Sequence, residues 1–131
     1  MMYSTNYLGL LLAAVVAMVV GYVWYGPLFG KTWMKLMGMK EAKMKGAGTS
    51  YLVMYVVAVV EAYVLSVFMK NAGATTVNSA AMVAFWAWLG FVATVMLGMV
   101  LWDKKPLNLY FLNVAYQLVT MVLMAVVLVL I

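Results

Sequence analysis

Residues 49–69 read TSYLVMYVVAVVEAYVLSVFM, and a single charge, Glu61, stands near the middle of that run. A helix of ~20 residues covers the ~30 Å hydrocarbon layer of a bilayer. Three further runs, Tyr7–Tyr25, Ser79–Leu101 and Leu107–Ile131, have the same character and about the same length. Inside hydrocarbon every backbone N–H and C=O must be paired within its own segment. The expected architecture is therefore an all-α membrane protein: one domain over residues 1–131, with four transmembrane helices in a bundle.

Composition narrows the chemistry. Of 131 residues 69% are apolar and 8% charged, which leaves no room for a separate soluble domain. There is no Cys, so disulfides, thiolate metal sites and thiol exchange are excluded. There is no His, which removes the usual haem and zinc ligand and the commonest general base. All eight positive charges are Lys. The expectation is a non-enzymatic protein with no cofactor and no metal. Fourteen Met residues raise the question of Cu(I), with pairs at Met34/Met37, Met96/Met99 and Met121/Met124. Those pairs fall at different depths without Cys or His, and Met also fills gaps in apolar packing.

The formal charge of +5 is explained by where the lysines stand rather than by nucleic acid. Lys31, Lys35, Lys40, Lys43 and Lys45 follow the first run, and Lys104 and Lys105 follow the third. Only Lys70 follows the second. The positive-inside rule then predicts a multi-pass protein of the cell's inner membrane, with cytoplasmic lysine-bearing loops and both termini outside. The first run lacks a basic leader and reads as an uncleaved helix, with Ser4, Thr5 and Asn6 as capping candidates.

In the first run Gly9, Ala13, Ala17 and Gly21 recur every four residues, and in the third Gly90, Thr94 and Gly98 do the same. Such rows let helices approach closely, a main source of association in lipid. After the first run comes Trp24-Tyr25-Gly26-Pro27-Leu28-Phe29-Gly30-Lys31-Thr32-Trp33. Pro27 disfavours helical geometry at Gly26, so a break is expected there. The rings of Trp24, Tyr25, Phe29 and Trp33 suit the headgroup boundary. From about residue 31 to 45 the pattern predicts a short amphipathic cytoplasmic helix that rests on anionic lipid, weakened at Gly38 and ended by Gly46 and Gly48. Trp102-Asp103-Lys104-Lys105-Pro106 is short enough to force the last two spans into a hairpin.

With these segments in place the chain resembles the bacterial family called domain of unknown function 1761, small four-span membrane proteins of about this length. The resemblance is carried by Trp24-Tyr25-Gly26-Pro27-Leu28-Phe29-Gly30-Lys31 with Trp33, by Trp88-Leu89-Gly90-Phe91, and by Asn113 with Tyr116. It implies fold and topology and no substrate.

A carboxylate in mid-membrane is expensive, at ~2.5–3.5 kcal/mol on insertion scales. Glu61 therefore needs a polar partner. Asn113, Gln117 and Thr120 fall at i, i+4 and i+7 of the last run, with Tyr116 beside them, so they form one stripe. By residue count Glu61 and Gln117 lie at similar depth, while Tyr51 and Tyr55 are expected near the inner end of the stripe. Interhelical polar contacts average only ~0.6 kcal/mol in membranes, too little to offset a buried acid by themselves.

Two function classes follow. The leading one is a small oligomeric or accessory membrane subunit that associates with copies of itself or a larger complex through its small-residue rows. The alternative is a minimal proton, cation or lipophilic-compound transporter working through Glu61, similar in outline to the small multidrug resistance proteins. An enzyme acting on lipids would have only Glu61, Asp103, Tyr and Lys to work with, and no acid pair.

Overall fold

A computed structural model describes residues 7–37 and 47–131. The capping candidates Ser4–Asn6, the loop lysines Lys40, Lys43 and Lys45, and Gly38 and Gly46 lie outside the described residues. The elements are α1 (Tyr7–Val23), which continues through a π-helical turn (Trp24–Leu28), then α2 (Gly30–Met37) and α3 (Ala47–Asn71). They are followed by α4 (Val77–Leu101), which carries a π-helical stretch at Leu89–Ala93, and by α5 (Leu107–Leu130). No strand occurs among the described residues. Four helical stretches, Tyr7–Leu28, Ser50–Asn71, Val77–Leu101 and Leu107–Leu130, are long and apolar enough to cross a membrane. Their outer faces carry Val15, Val19, Val53, Val56, Val57, Val60, Phe91 and Val95, all exposed. Helices apolar on every side suit a hydrocarbon solvent.

The expected break at Gly26 does not occur. In a regular helix the Pro27 ring would press on the carbonyl of Val23, and it has no N–H to bond it. The chain widens instead into a π turn, closed by Phe29 N–H donating to Trp24 O at 2.8 Å. The helix stops at Phe29, and α2 starts at Gly30 folded back on that turn. A Cβ at Gly30 would lie 2.6 Å from the Tyr25 carbonyl oxygen, so only glycine fits. Gly48, expected to end the preceding helix, lies inside α3, which begins at Ala47.

Local signals explain the remaining ends. Asn71 ends α3 in a turn where Ala74 N–H donates to Met69 O (2.8 Å) and Gly73 N–H to Lys70 O (3.1 Å). Gly73 has φ +70°, a left-handed conformation that glycine adopts at little cost. Thr76 caps α4 reciprocally with Ser79: each backbone N–H donates to the other residue's hydroxyl oxygen. In the α4–α5 connection Lys104 takes the left-handed conformation, with φ 59°.

α5 is the centre of the bundle and packs extensively against both α1 and α4. α3 leans chiefly on α1, less on α5 and least on α4, so a seam stays open between α3 and α4. The core is built from small residues. Ala13, Ala14 and Ala17 of α1, Ala58 and Ala62 of α3, Ala80 and Ala84 of α4 and Ala125 of α5 share one buried cluster with Leu10, Leu65, Met121 and Met124. Gly9, Ala13 and Ala17 are thus used up inside the chain, holding α1 against its own neighbours. The second row behaves differently. Gly90 and Thr94 face outward, with Gly98 half-buried, and the Thr94 hydroxyl donates to Gly90 O at 2.7 Å.

Candidate functional site

Both π-helical turns are tied to adjacent residues of α5. The Tyr25 hydroxyl donates to Asn113 Oδ1 at 2.6 Å. The Trp88 indole N–H, one residue before the second π stretch, donates to Val114 O at 2.8 Å. Within that stretch, Ala93 O would meet the Leu97 amide in a regular helix. The Leu97 N–H turns to Thr94 O instead (3.3 Å), and the Tyr110 hydroxyl donates to Ala93 O at 2.6 Å. A hydroxyl thereby satisfies a carbonyl on the irregular stretch. Tyr110 is a residue the sequence reading missed; its spacing of four from Val114 was the available signal, since both face α4.

Around Tyr25 the aromatic rings close into a cluster against α5. Trp33 stands edge-on to Tyr25 (5.4 Å, 66°), and Tyr116 does the same from the other side (5.0 Å, 64°). Trp24 packs on Phe29 at 4.7 Å and reaches Tyr116 at 6.4 Å. All of these rings are half-buried, while Gly26, Pro27 and Lys31 are exposed and Gly30 is buried. Gly21 makes room for the Tyr116 hydroxyl, which would lie 3.1 Å from a Cβ at that position. Exposed rings near helix ends include Tyr7, Tyr22, Tyr51, Trp102 and Phe111.

From this cluster the polar stripe of α5 continues inward. Thr120 is fully buried; it interacts with Tyr116 one turn earlier without a well-formed hydrogen bond. Gln117 is half-buried. Glu61 acts electrostatically on Tyr116, yet among the described residues no hydrogen bond or ion pair reaches its carboxylate. The structure therefore brings Glu61 to the Tyr116 side of the stripe but does not join it to Asn113, Gln117 or Thr120 by hydrogen bonds. Tyr55 does not serve the stripe. Its hydroxyl donates to Leu11 O at 3.3 Å, near the beginning of α1.

Glu61 stands instead at the seam between α3 and α4. A cavity of about 370 Å³ is lined there by Glu61, Val64, Leu65, Phe68, Ala87, Phe91, Val92 and Met121. A second cavity of about 560 Å³ shares Phe68, Ala87 and Phe91 with it and extends to Asn71, Ala72, Met82 and Trp86. Together they form one apolar cleft along the seam. Glu61 is the one charged residue in a lining whose surface is otherwise apolar. Among the described residues no group of three His, Cys, Asp or Glu side chains gathers as a metal site.

This is a small all-α bundle with four helices able to cross a membrane, two π-helical turns anchored on its central helix, and, among the described residues, one acid within a spanning helix. The chain belongs to the family described as Protein of unknown function (DUF1761), whose model it matches over residues 8–129. No curated protein and no solved structure matches it.

Proposed function

We propose that the protein is an integral membrane carrier that admits a lipophilic cation, or a proton in its place, to Glu61 through the α3–α4 seam. The observation that supports this is an acid in the lining of an apolar cleft, with no hydrogen bond or ion pair among the described residues. Register-fixing acids are bonded to their neighbours, and among the described residues none is bonded to this one. In surroundings of low dielectric only neutral combinations are stable: a protonated acid, or a carboxylate paired with a cation. A ligand with an apolar body and a cationic head fits both the cleft wall and the carboxylate. Binding such a ligand must then release a proton. No chemical step is assigned to the protein, which acts on its ligand by binding alone. The end that carries Lys31, Lys35, Lys104 and Lys105 faces the cytoplasm under this reading.

The test is tetraphenylphosphonium binding to purified protein in weakly buffered detergent, followed with a pH indicator. About one proton released per bound cation, with both binding and release lost in Glu61→Gln, supports the carrier. Unchanged binding in Glu61→Gln overturns it.

A second reading is favoured by the outward row Gly90–Thr94 on α4, which suits close approach of another helix. On that reading the chain is a subunit of a homo-oligomer or of a larger membrane complex, and the neighbour closes the seam. Native mass spectrometry after gentle extraction, read with the Glu61→Gln binding test, tells the two apart: a stoichiometric second protein, or a homo-oligomer whose tetraphenylphosphonium binding is unchanged in Glu61→Gln, supports the subunit reading.

A further inference from the structure

A third cavity lies away from Glu61, where α2 folds back against the first turns of α5. It is an open groove of about 680 Å³ between Trp24, Phe29, Thr32, Lys35 and Leu36 on one side and Asn108, Phe111, Leu112 and Ala115 on the other. Its polarity is graded. Thr32, Lys35 and Asn108 supply a hydroxyl, a cation and an amide, and Asn108 stands in the first turn of α5. Ala115 is seven residues deeper, about 10 Å at the rise of a helix, and the other α5 residues between them are the apolar Phe111 and Leu112.

We infer that this cavity is a binding site for one anionic phospholipid, its phosphate held by Lys35 with Thr32 and Asn108, and its upper acyl chain laid along Phe111, Leu112 and Ala115. Charge supports an anionic head. Lys31, Lys104 and Lys105 stand on the same end of the bundle, and Asp103 is the lone acid among the described residues there. The gradient supports a lipid rather than a free anion, because a soluble phosphate has no use for the apolar lower half.

Gly30 permits the close approach of the start of α2 to the Tyr25 carbonyl, and α2 packs against α5, where Lys35 lines the cavity. Lysines on a helix at the leaflet surface attract anionic lipid diffusely; a cavity that includes Lys35 gives a single stoichiometric site.

The experiment is native mass spectrometry of the full chain exchanged into detergent with palmitoyl-oleoyl phosphatidylglycerol or with phosphatidylcholine of the same chains. One phosphatidylglycerol should persist on the wild-type protein at detergent levels that strip phosphatidylcholine. Lys35→Gln should lower that occupancy roughly fivefold, since one lysine near a lipid surface is worth about that factor. Lys70→Gln, at the opposite end of the bundle, should leave it unchanged. Equal retention of the two lipids, or equal occupancy in Lys35→Gln and wild type, overturns the site. Displacement of the lipid by millimolar inorganic phosphate also overturns it, because it would show a free-anion pocket. Lipid occupancy is read without reference to Glu61, so failure here and failure of the carrier reading are separate results.

Discussion

Tyr25 and Asn113, 88 residues apart in the chain, are joined by a 2.6 Å hydrogen bond from the phenol to the side-chain carbonyl. The bond pins the π turn of α1 to α5 one residue before Val114, which accepts the bond from Trp88. The three stretches that carry the family resemblance thus meet on one short segment of α5, flanked by α1 and α4. Their association is structural: together they hold two irregular helical turns against a regular helix.

Tyr25→Phe should lower stability by about 1 kcal/mol, the net worth of one hydrogen bond. Asn113→Leu should cost a similar amount. In a double-mutant cycle, followed by thermal unfolding in detergent, the pair should show a coupling of ~0.6–1.7 kcal/mol. Additive losses would mean that the bond contributes nothing to the fold.

Gly30→Ala should be more damaging. Its Cβ would sit 2.6 Å from backbone, which cannot move aside as a flexible side chain can. The expected loss is ~1–3 kcal/mol, in the range of overpacked cores. Gly26→Ala is the matched control, since nothing lies within 4 Å of its would-be Cβ. Amide hydrogen exchange in α2 should rise in the first variant and stay at the wild-type rate in the second.

Tyr110→Phe removes the hydroxyl that satisfies Ala93 O and leaves that carbonyl short of a donor in a buried place. A loss of about 1–2 kcal/mol is expected. Trp88→Phe should cost less in hydrogen bonding, because Val114 O lies in the regular helix α5 and has a backbone donor four residues on. Unfolding midpoints of the two variants, compared side by side, check this order.

Glu61→Gln keeps the volume and removes the charge. No hydrogen bond or ion pair to Glu61 is broken among the described residues, so the unfolding temperature should be equal to or above that of the wild type. Tetraphenylphosphonium-linked proton release should disappear. A drop of several degrees would mark Glu61 as a structural residue and count against the carrier reading.

Much of this was legible in the chain itself. The four spans needed only length and hydropathy, because hydrocarbon forces every backbone group to pair within its own helix. The observed ends agree to within a few residues: Leu28 against Tyr25 for the first, Asn71 against Met69 for the second and Val77 against Ser79 for the third. Pro27 was visible as an irregularity, but whether a chain breaks or widens at a proline depends on what packs against it. Here the rings of Trp33 and Tyr116 clasp Tyr25, and the turn widens.

The candidate site was only half legible. Residue counting found Glu61 and the stripe Asn113–Thr120, because position along a helix follows from 1.5 Å per residue. It could not give the rotation of one helix against another, since each residue turns the helix by about 100° and many rotations bury an apolar stripe equally well. Tyr55 shows the same gap, meeting Leu11 at the start of α1 instead of the stripe. Sequence alone thus determined how many helices there are, what they are made of and which chemistries are missing. The tertiary structure decided which faces meet: the Gly9–Ala17 row turned inward, Tyr25 reached Asn113, and Glu61 came to an open seam. These pairings depend on side-chain packing between helices far apart in sequence, and no local pattern encodes them.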